Sequence, residues 1–513
     1  MRKFTCFSQS RTLRNIRKRM LSKALIKRIE KQLAFTPTSG QQEALEKIAE
    51  FLMLPQNKSI FIMRGYAGTG KTSLTGALVR TLKNMQWNTV LLAPTGRAAK
   101  VFSLYADAPA YTIHKMIYRQ KTFVGEETGF SLDFNKYQNT LFIVDEASMI
   151  ANRNYTGSFF GTGCLLDDLV KFVYQGEGCR LLFVGDTAQL PPVGEEDSPA
   201  LNPDFMSEFG FHIHEANLTQ VVRQAEASGI LRNATSLREK ITSDENLMWP
   251  RICLKGFSDI KVLSGNELVE TLESSYYQVG IDQTIIITRS NKRANVYNNG
   301  IRGRIFGREG ELTQGDLIMI AKNNYYWTEL ALKQLPPAER PKIDFIANGD
   351  IAEIRRIRNI QSLYGSRFAD VTLRFPDYDD FELNAKILLD TLQSESPALS
   401  KEESNRLFHA ILEDYADIPL KKERMKRMRQ DPYYNALQIK YAYAITCHKA
   451  QGGQWQHVYL DQGYITEEML SVNYLRWLYT AFTRSSEQLY LMNWPKMQQE
   501  ETTDNNKPDH DKI

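Results

Sequence analysis

The chain has 513 residues, of which 42% are hydrophobic and 24% charged, and its formal net charge is +4 at pH 7. This length is enough for about three or four domains with buried cores. No apolar run approaches the ~20 residues that span a bilayer, so we expect a soluble, cytoplasmic protein that does not bind membranes. The five cysteines lie far apart, which argues against a disulfide framework and against a zinc site.

Basic residues are concentrated at the amino terminus. Residues 1–34 hold eleven Lys or Arg and one acid, Glu30. Two interpretations stay open: a basic N-terminal extension that grips phosphates, or a natural start at Met20 with the first 19 residues outside the protein. At the other end, residues 496–513 are polar and are expected to form a disordered tail.

A complete phosphate-binding loop, G-x-x-x-x-G-K-T, occupies residues 65–72. The apolar run Ser59–Met63 predicts a strand before it, and Ser73–Lys83 is compatible with a helix after it. A strand that feeds a glycine-rich turn into a helix N-terminus points backbone N–H groups and the positive end of the helix dipole at a polyphosphate. The pattern predicts an ATP or GTP site. Its residues are Gly65, Gly68, Gly70, Lys71 and Thr72.

Further apolar runs are typical of buried strands in a parallel α/β sheet. They are Thr89–Ala93, Thr140–Val144 and Arg180–Val184. Ligands of such sheets lie beyond the carboxyl ends of the strands, and the second run leads directly into Asp145 and Glu146. We expect Asp145 and Thr72 to hold Mg²⁺ and Glu146 to deprotonate the attacking water. This geometry favours hydrolysis of the nucleotide over binding alone.

The third run leads into Gly185–Val193, which reads GDTAQLPPV and resembles motif III of superfamily 1 helicases. Other segments resemble the remaining motifs of that family in order. They are the Q motif in Thr36–Ala44, motif Ia in Ala93–Lys100, a single-strand contact motif in Thr112–Lys115, motif IV in Leu218–Gln224, motif V in Thr446–Trp455 and motif VI in Leu478–Arg484. Motif V, with its His-Lys-Ala-Gln-Gly, is most similar to the RecD-like and Dda-like branch, superfamily 1B, whose members move 5′ to 3′ on single strands.

The resemblance implies roles for particular residues. Lys71 would neutralise the β- and γ-phosphates, Gln189 would sense the γ-phosphate, and Arg223 and Arg484 would reach the transition state as arginine fingers. Gln41 would read adenine, and Gly453 would contact the nucleotide. The implied DNA contacts are Thr95, His114, Thr446, His448 and the pin residue Phe130. The implied cofactors are ATP and Mg²⁺, and the implied partners are single-stranded DNA and duplex junctions, bound by a monomeric motor.

Two insertions interrupt the motor pattern. The segments Lys121–Val124 and Phe130–Phe134 read as short strands around a turn, where the family holds a pin that wedges the duplex open; Phe123, Phe130 and Phe134 either stack on the terminal base pair or pack the hairpin. From about residue 311 to 435, the runs Leu317–Ala321, Asp350–Ile354 and Ala369–Phe375 predict a small barrel, where family members carry an SH3-like insertion. Residues 400–430 read as charged helices, and the basic run Lys421–Arg429 is either a phosphate contact or a solvated helix face.

The predicted fold class is therefore α/β, with two RecA-like P-loop NTPase motor domains made of parallel sheets flanked by helices. The expected boundaries are 1–34 for the extension, 35–214 for motor domain 1A with the pin at about 119–138, 215–310 with 436–495 for motor domain 2A, 311–435 for the barrel insertion 2B, and 496–513 for the tail. The preferred function is a 5′ to 3′ DNA helicase. An RNA helicase of the Upf-like group, a translocase subunit of a nuclease complex and a P-loop nucleotide kinase or nucleotide-gated binding protein stay open as alternatives.

Overall fold

The computed structural model describes residues 20–54, 58–120, 130–153, 161–221, 228–243, 248–336 and 345–500. These residues form two compact units. The first unit contains Met1–Val222, Gly307–Tyr443 and Gln451–Gly453, and the second contains Arg223–Phe306, Ala444–Ala450 and Gln454–Ile513. Among the described residues, no helix has the length and apolar character that a bilayer crossing requires.

The strands, in chain order, are β1 Ser59–Gly65, β2 Thr89–Ala93, β3 Ala110–Thr112, β4 Tyr118–Gln120, β5 Phe130–Leu132, β6 Leu141–Val144, β7 Arg180–Gly185, β8 His212–Leu218, β9 Ile260–Leu263, β10 Thr284–Thr288, β11 Leu317–Ile320, β12 Ile351–Leu363, β13 Ser366–Phe375, β14 Phe381–Leu388, β15 Leu437–Tyr441, β16 Ala444–Thr446, β17 Trp455–Asp461 and β18 Ser485–Met492.

The helices are α1 at residues 20–30, followed by α2 Ser39–Leu52, α3 Lys71–Asn84, α4 Gly96–Ala106, α5 Ile113–Ile117, α6 Leu165–Gln175, α7 Pro203–Ser207, α8 Gly229–Thr242, α9 Leu268–Gln278, α10 Asn291–Arg304, α11 Tyr326–Gln334, α12 Lys401–Glu413, α13 Lys421–Arg429, α14 Cys447–Ala450 and α15 Val472–Phe482.

The first unit is built on a six-stranded parallel sheet in the order β3-β2-β6-β7-β1-β8. Alternate residues of β1 point to opposite faces, because side chains of a strand alternate. Ile60 and Ile62 lie in a core shared with α5 and α6, whereas Phe61 and Met63 lie in a core shared with α2 and α3. The two apolar faces explain why the strands of this sheet read as continuous hydrophobic runs, and the predicted α/β class is confirmed.

The edge strand β8 corrects the expected boundary at residue 214. β8 pairs in parallel with β1 from His212 to Leu218, so the first sheet continues four residues beyond that boundary. A second correction concerns the expected N-terminal extension at residues 1–34, because α1 lies within it. Leu25 and Ile29 are buried in the same core as α2 and α3, so this part of the expected N-terminal extension packs with the helices of the first motor domain. Apolar residues four apart on one helix face, rather than the basic residues, decide where α1 lies.

The first strand of the predicted pin is β4, which lies just before the run Lys121–Val124 that was expected to form it. β4 and β5 pair antiparallel, with Gln120 opposite Phe130, and residues 121–129, including Phe123, lie outside the described residues. The base of this hairpin is anchored from β4 and from the segment that follows β5. The Tyr118 hydroxyl donates to the buried Asp168 at 2.7 Å, and the Asn135 side chain donates to the carbonyl of Phe172 at 3.0 Å.

The insertion folds as a closed barrel of β11, β12, β13, β14 and β15, as predicted. The expected boundary at residue 436 is wrong for β15, because this strand hydrogen-bonds β11 and β14 and not the second motor sheet. The charged helices α12 and α13 cover one end of the barrel. Their Leu407, Ile411, Met425 and Met428 pack on Phe368 of β13.

The second unit is built on a five-stranded parallel sheet in the order β16-β10-β17-β18-β9. The helix α15 is buried along most of its length. The expected tail begins too early at residue 496, because Gln498 is 2% exposed and its carbonyl accepts from the N–H of Ile252 at 2.8 Å. Backbone pairing with the segment at Ile252 therefore orders the chain to Glu500, and residues 501–513 lie outside the described residues.

Candidate functional site

The phosphate loop connects β1 to α3 as the sequence predicts. Gly68 and Gly70 have φ of +75° and +77°, a left-handed conformation that residues with a Cβ rarely adopt. Lys71 Nζ donates to the carbonyls of Gly65 at 2.5 Å and Tyr66 at 3.0 Å. The ammonium group therefore lies over the loop, beside the N-terminus of α3, where phosphate oxygens are favoured.

Gln41 hydrogen-bonds the phosphate loop from α2. It is fully buried, and its Nε2 donates to the carbonyl of Thr69 at 2.9 Å. Its Oε1 accepts from the N–H of Thr38 at 2.9 Å, completing a capping box at the start of α2. The predicted reading of adenine stays a prediction, because both ends of the amide are bonded within the protein.

Asp145 lies at the carboxyl end of β6, as predicted, and a tyrosine contacts it. The Tyr105 hydroxyl donates to Asp145 Oδ2 and also hydrogen-bonds the Thr72 side chain. Asp145 Oδ1 accepts from the N–H of Glu146 at 2.9 Å. Burial raises the pKa of the Asp145 carboxyl, whereas Tyr105, the Glu146 N–H and the Lys71 charge act in the opposite direction. The structure thus brings together the two predicted Mg²⁺ ligands.

Motif III places a second carboxylate beside the loop. Asp186 follows β7, is fully buried, and lies 3.8 Å from Lys71 Nζ. Within the described part of the chain, Gln189 Oε1 is a buried oxygen without a hydrogen-bond partner. A buried polar atom left unpaired costs free energy, but an amide oxygen cannot accept from an ionised phosphate, so contact with a γ-phosphate would have to use the Gln189 Nε2 group.

Motif V meets motifs Ia and III within the first unit. Gln451 Nε2 donates to the carbonyl of Leu190 at 2.8 Å, and Gln451 is buried. Gly452 has a φ of +74°, and a Cβ atom there would lie 2.8 Å from Ala98 Cβ. Only glycine fits so close an approach without displacing α4. The predicted nucleotide contact Gly453 follows in the same loop.

Two residues that are predicted to contact single-stranded DNA lie at the start of α4 and within α5. The Thr95 hydroxyl accepts from the N–H of Ala98 at 3.2 Å and caps α4. His114 lies in α5, and burial lowers its pKa to about 4. Its imidazole is therefore neutral at pH 7, and we expect it to contact a strand by hydrogen bonding or stacking rather than by ion pairing.

Three predicted residues lie in the second unit. Thr446 ends β16, and His448 follows it in α14 with an exposed side chain. Arg484 is 4% exposed, and its Nε donates to the carbonyl of Thr480 at 3.0 Å, which fixes the side chain at the end of α15. Arg223 and the side chain of Phe130 lie outside the described residues, so their predicted roles stay predictions.

The residues present fit Mg²⁺ and ATP. Thr72 and Asp145 supply the oxygen ligands that Mg²⁺ prefers, and the N-terminus of α3 with Lys71 supplies positive charge for phosphates. Bound Mg²⁺ would neutralise charge on the β- and γ-phosphates.

Sequence reasoning missed three site residues. Asp186 and Gln451 both lie inside recognised motifs. The available signal was the position of Asp186 directly after β7 and that of Gln451 directly before the two glycines of motif V. Tyr105 stands outside any motif, ten residues after Thr95. Only the packing of α4 on α3 brings its hydroxyl to Asp145.

Two family models match the chain in sequence order. An AAA domain matches residues 36–249, and a UvrD-like helicase C-terminal domain matches residues 441–492. The first match contains the phosphate loop, Asp145 and motif III. The second contains motifs V and VI.

Similar curated proteins include two helicases. The ATP-dependent DNA helicase dda of Enterobacteria phage T4 is 23% identical over 295 residues, which cover 55% of this chain and 60% of that protein. The ATP-dependent RecD2 DNA helicase of Deinococcus radiodurans is 27% identical over 299 residues, covering 56% of this chain and 37% of that protein. An uncharacterised protein of Acanthamoeba polyphaga mimivirus is 23% identical and matches 88% of this chain and 99% of its own length.

Among solved structures, the Pif1 helicase from Bacteroides in complex with ADP-AlF3 and single-stranded DNA shares 16% identity with a TM-score of 0.45 and covers 90% of this chain and 93% of its own. The order of the two family models, the phosphate loop with its paired carboxylate and the helicase relatives have one common explanation. The two family matches and the two helicase relatives are consistent with a superfamily 1B helicase, the family that the motifs resemble.

Proposed function

We propose that this protein is an ATP-dependent DNA helicase that moves 5′ to 3′ on single-stranded DNA and unwinds duplexes. The observation that carries the proposal is the junction of the phosphate loop, Asp145 and motif III in the first unit. Lys71 lies 3.8 Å from Asp186, and Gln189 presents a buried oxygen that lacks a partner among the described residues. The Lys71 charge at the glycine-rich loop and the motif III side chains beside it support binding of a nucleoside triphosphate.

The proposed chemistry assigns one task to each residue. Lys71 and the N-terminus of α3 bind the β- and γ-phosphates, and Thr72 and Asp145 hold Mg²⁺. Glu146 takes the proton of the attacking water, because it directly follows the metal carboxylate. Arg223 and Arg484 are proposed arginine fingers, which would make hydrolysis depend on the second motor domain.

The DNA track is proposed to run over Thr95, His114, Thr446 and His448, with Phe130 of the pin at the duplex junction. The 5′ to 3′ direction rests on the likeness of motif V to the RecD-like and Dda-like branch. For the domains, we propose that motor domain 1A extends through β8, that the barrel insertion 2B includes β15, and that motor domain 2A comprises β9, β10 and β16 to β18.

The test is an unwinding assay on duplexes with a 5′ or a 3′ single-stranded tail, made in DNA and in RNA, with ATP and Mg²⁺. We expect separation of the 5′-tailed DNA substrate only. Lys71→Ala is the matched variant. It should retain single-strand binding while its ATPase falls below a tenth of the wild-type rate, because it removes the charge that holds the phosphates but leaves the DNA contacts intact.

Unwinding of the 3′-tailed DNA would overturn the direction. Preference for the RNA substrate would identify an RNA helicase instead. ATP hydrolysis that single strands do not stimulate would favour a nucleotide kinase or a nucleotide-gated binding protein.

A further inference from the structure

Helix α4 carries a buried polar contact that none of the helicase motifs explains. It begins after Thr95 and ends at Ala106, and Tyr105 occupies its last turn. The Tyr105 hydroxyl donates to Asp145 Oδ2 and hydrogen-bonds the Thr72 side chain. One phenol therefore contacts both of the proposed Mg²⁺ ligands, although it comes from neither the phosphate loop nor β6.

The backbone of Tyr105 is fixed from the side of α3. Arg80 Nη1 donates to the Tyr105 carbonyl at 2.6 Å. A Cβ atom at Gly76 would lie 2.7 Å from the same carbonyl oxygen, so α3 approaches α4 at the closest distance that glycine permits. The Tyr105 ring also packs against Phe102, with the ring centroids 5.5 Å apart. These contacts restrict movement of the Tyr105 phenol away from Asp145.

The two oxygens of Asp145 have different partners. Oδ1 accepts from the N–H of Glu146 at 2.9 Å, and Oδ2 accepts from Tyr105. A carboxylate oxygen has a second lone pair, so these bonds fix the plane of the group and leave one lone pair on each oxygen. Precise orientation of a metal ligand by a neighbouring donor commonly contributes about ten- to a hundredfold in metal affinity.

We propose that Tyr105 is a positioning residue of the metal site, which orients Asp145 and Thr72 for Mg²⁺ through its hydroxyl. The inference rests on the proposed ATPase and adds a residue outside the helicase motifs to it. Tyr105 acts through Asp145 and Thr72 and does not touch the nucleotide. Removal of its hydroxyl should therefore raise the Mg²⁺ concentration that nucleotide binding requires and leave metal-free binding unchanged.

The test compares Tyr105→Phe with the wild-type full chain, using a fluorescent ADP analogue titrated with Mg²⁺ and, separately, in EDTA. We expect the Mg²⁺ concentration for half-maximal binding to rise roughly tenfold in Tyr105→Phe, with affinity in EDTA changed less than twofold. The matched control is Tyr174→Phe, which removes a partly buried hydroxyl that donates to the Ser59 carbonyl at 2.6 Å on the other face of the same sheet. This control should leave the Mg²⁺ titration unchanged.

Thermal unfolding of both variants separates positioning from packing. An unchanged or lowered Mg²⁺ requirement in Tyr105→Phe overturns the inference while leaving the ATPase proposal intact. Equal weakening with and without Mg²⁺ also overturns it, because a purely structural role of Tyr105 would affect both. If wild-type protein binds the analogue no better with Mg²⁺ than in EDTA, the proposed function itself fails.

Discussion

Glu146 has a backbone φ of +51°, a conformation that non-glycine residues adopt rarely and at an energetic cost. Such strain persists where the surrounding structure holds it, and it occurs most often at functional sites. Here the N–H of Glu146 is bound by Asp145 at 2.9 Å, and its carbonyl accepts from the N–H of Met149 at 3.1 Å. The backbone of Glu146 is therefore set by its neighbours.

Glu146→Gln should separate nucleotide capture from hydrolysis. The substitution keeps the size of the side chain and the Mg²⁺ ligands Asp145 and Thr72, and it removes the proposed base. We expect ATP to bind with affinity within about threefold of wild type while turnover falls by roughly a hundredfold or more. Calorimetry measures the binding and phosphate release measures the turnover. Loss of ATP binding in this variant would assign Glu146 to the metal site or to the fold.

At the scale of elements, α4 connects several parts of the first unit. A Cβ atom at Gly96, its first residue, would lie 2.7 Å from both Ala347 Cβ and Asp350 Oδ1 of the barrel. Lys100, one turn further, lies 2.9 Å from Asp377. The barrel thus rests directly on the helix that carries the proposed strand contact Thr95.

A double-mutant cycle at this contact tests its strength. We expect Lys100→Asp to destabilise the protein and lower its affinity for single-stranded DNA, and a second change, Asp377→Lys, to restore most of the loss. The coupling should be about 1 kcal/mol, the upper end for partly exposed pairs, because each side chain is only about a third exposed. The matched control is the pair Lys83–Asp107, which is more exposed and 3.4 Å apart, and its coupling should be near zero. Equal coupling in both pairs, measured by thermal unfolding, would contradict a specific barrel contact.

The pin is the second element with a separable role. Tyr118 and Asn135 fasten its base to α6, so shortening the hairpin should leave both anchors in place. Since Gln120 and Phe130 are opposite each other, an Asn-Gly turn in place of residues 121–129 can join them as a tight hairpin.

We expect the shortened pin to retain DNA-stimulated ATPase and translocation while strand separation fails. Phe130→Ala should lower unwinding more than ATPase, because base stacking on an aromatic ring contributes on the order of 1–3 kcal/mol. The measurement is unwinding per ATP hydrolysed on a 5′-tailed duplex. Wild-type unwinding by the shortened protein would place strand separation elsewhere, with the barrel as the next candidate.

At the scale of the whole molecule, burial of one acid makes stability depend on pH. Asp350 is 2% exposed, and its Oδ2 accepts from the N–H of Ala347 at 2.7 Å and from the Tyr378 hydroxyl at 3.0 Å. Burial raises the pKa of Asp350 to about 7, Asp377 acts in the same direction, and Lys100 opposes it. Because the folded state binds this proton more tightly than the unfolded state, stability falls as pH rises from about 4 to about 7.

Asp350→Asn should remove this part of the pH dependence. The cost of ionising Asp350 in the folded protein is on the order of 4 kcal/mol, since each pKa unit corresponds to about 1.4 kcal/mol. We expect the wild-type melting temperature to drop between pH 5 and pH 8 by several degrees more than that of Asp350→Asn. Asp107→Asn, at a carboxylate whose side chain is 81% exposed, is the control and should follow wild type. A variant profile parallel to wild type would refute the assignment.

The sequence by itself determined the α/β class, the phosphate loop, the strand ending at Asp145 and the order of the motifs. These features are local: a glycine at positive φ, a buried apolar run or a carboxylate at a strand end is written in adjacent residues. The tertiary structure alone decided which sheet or barrel each boundary strand joins, because the side chains of β8 and β15 do not specify a neighbouring strand and only backbone pairing assigns them. It also decided the neighbours of the site. Tyr105 reaches Asp145 only because α3 and α4 pack at Gly76, and no spacing along the chain encodes that approach.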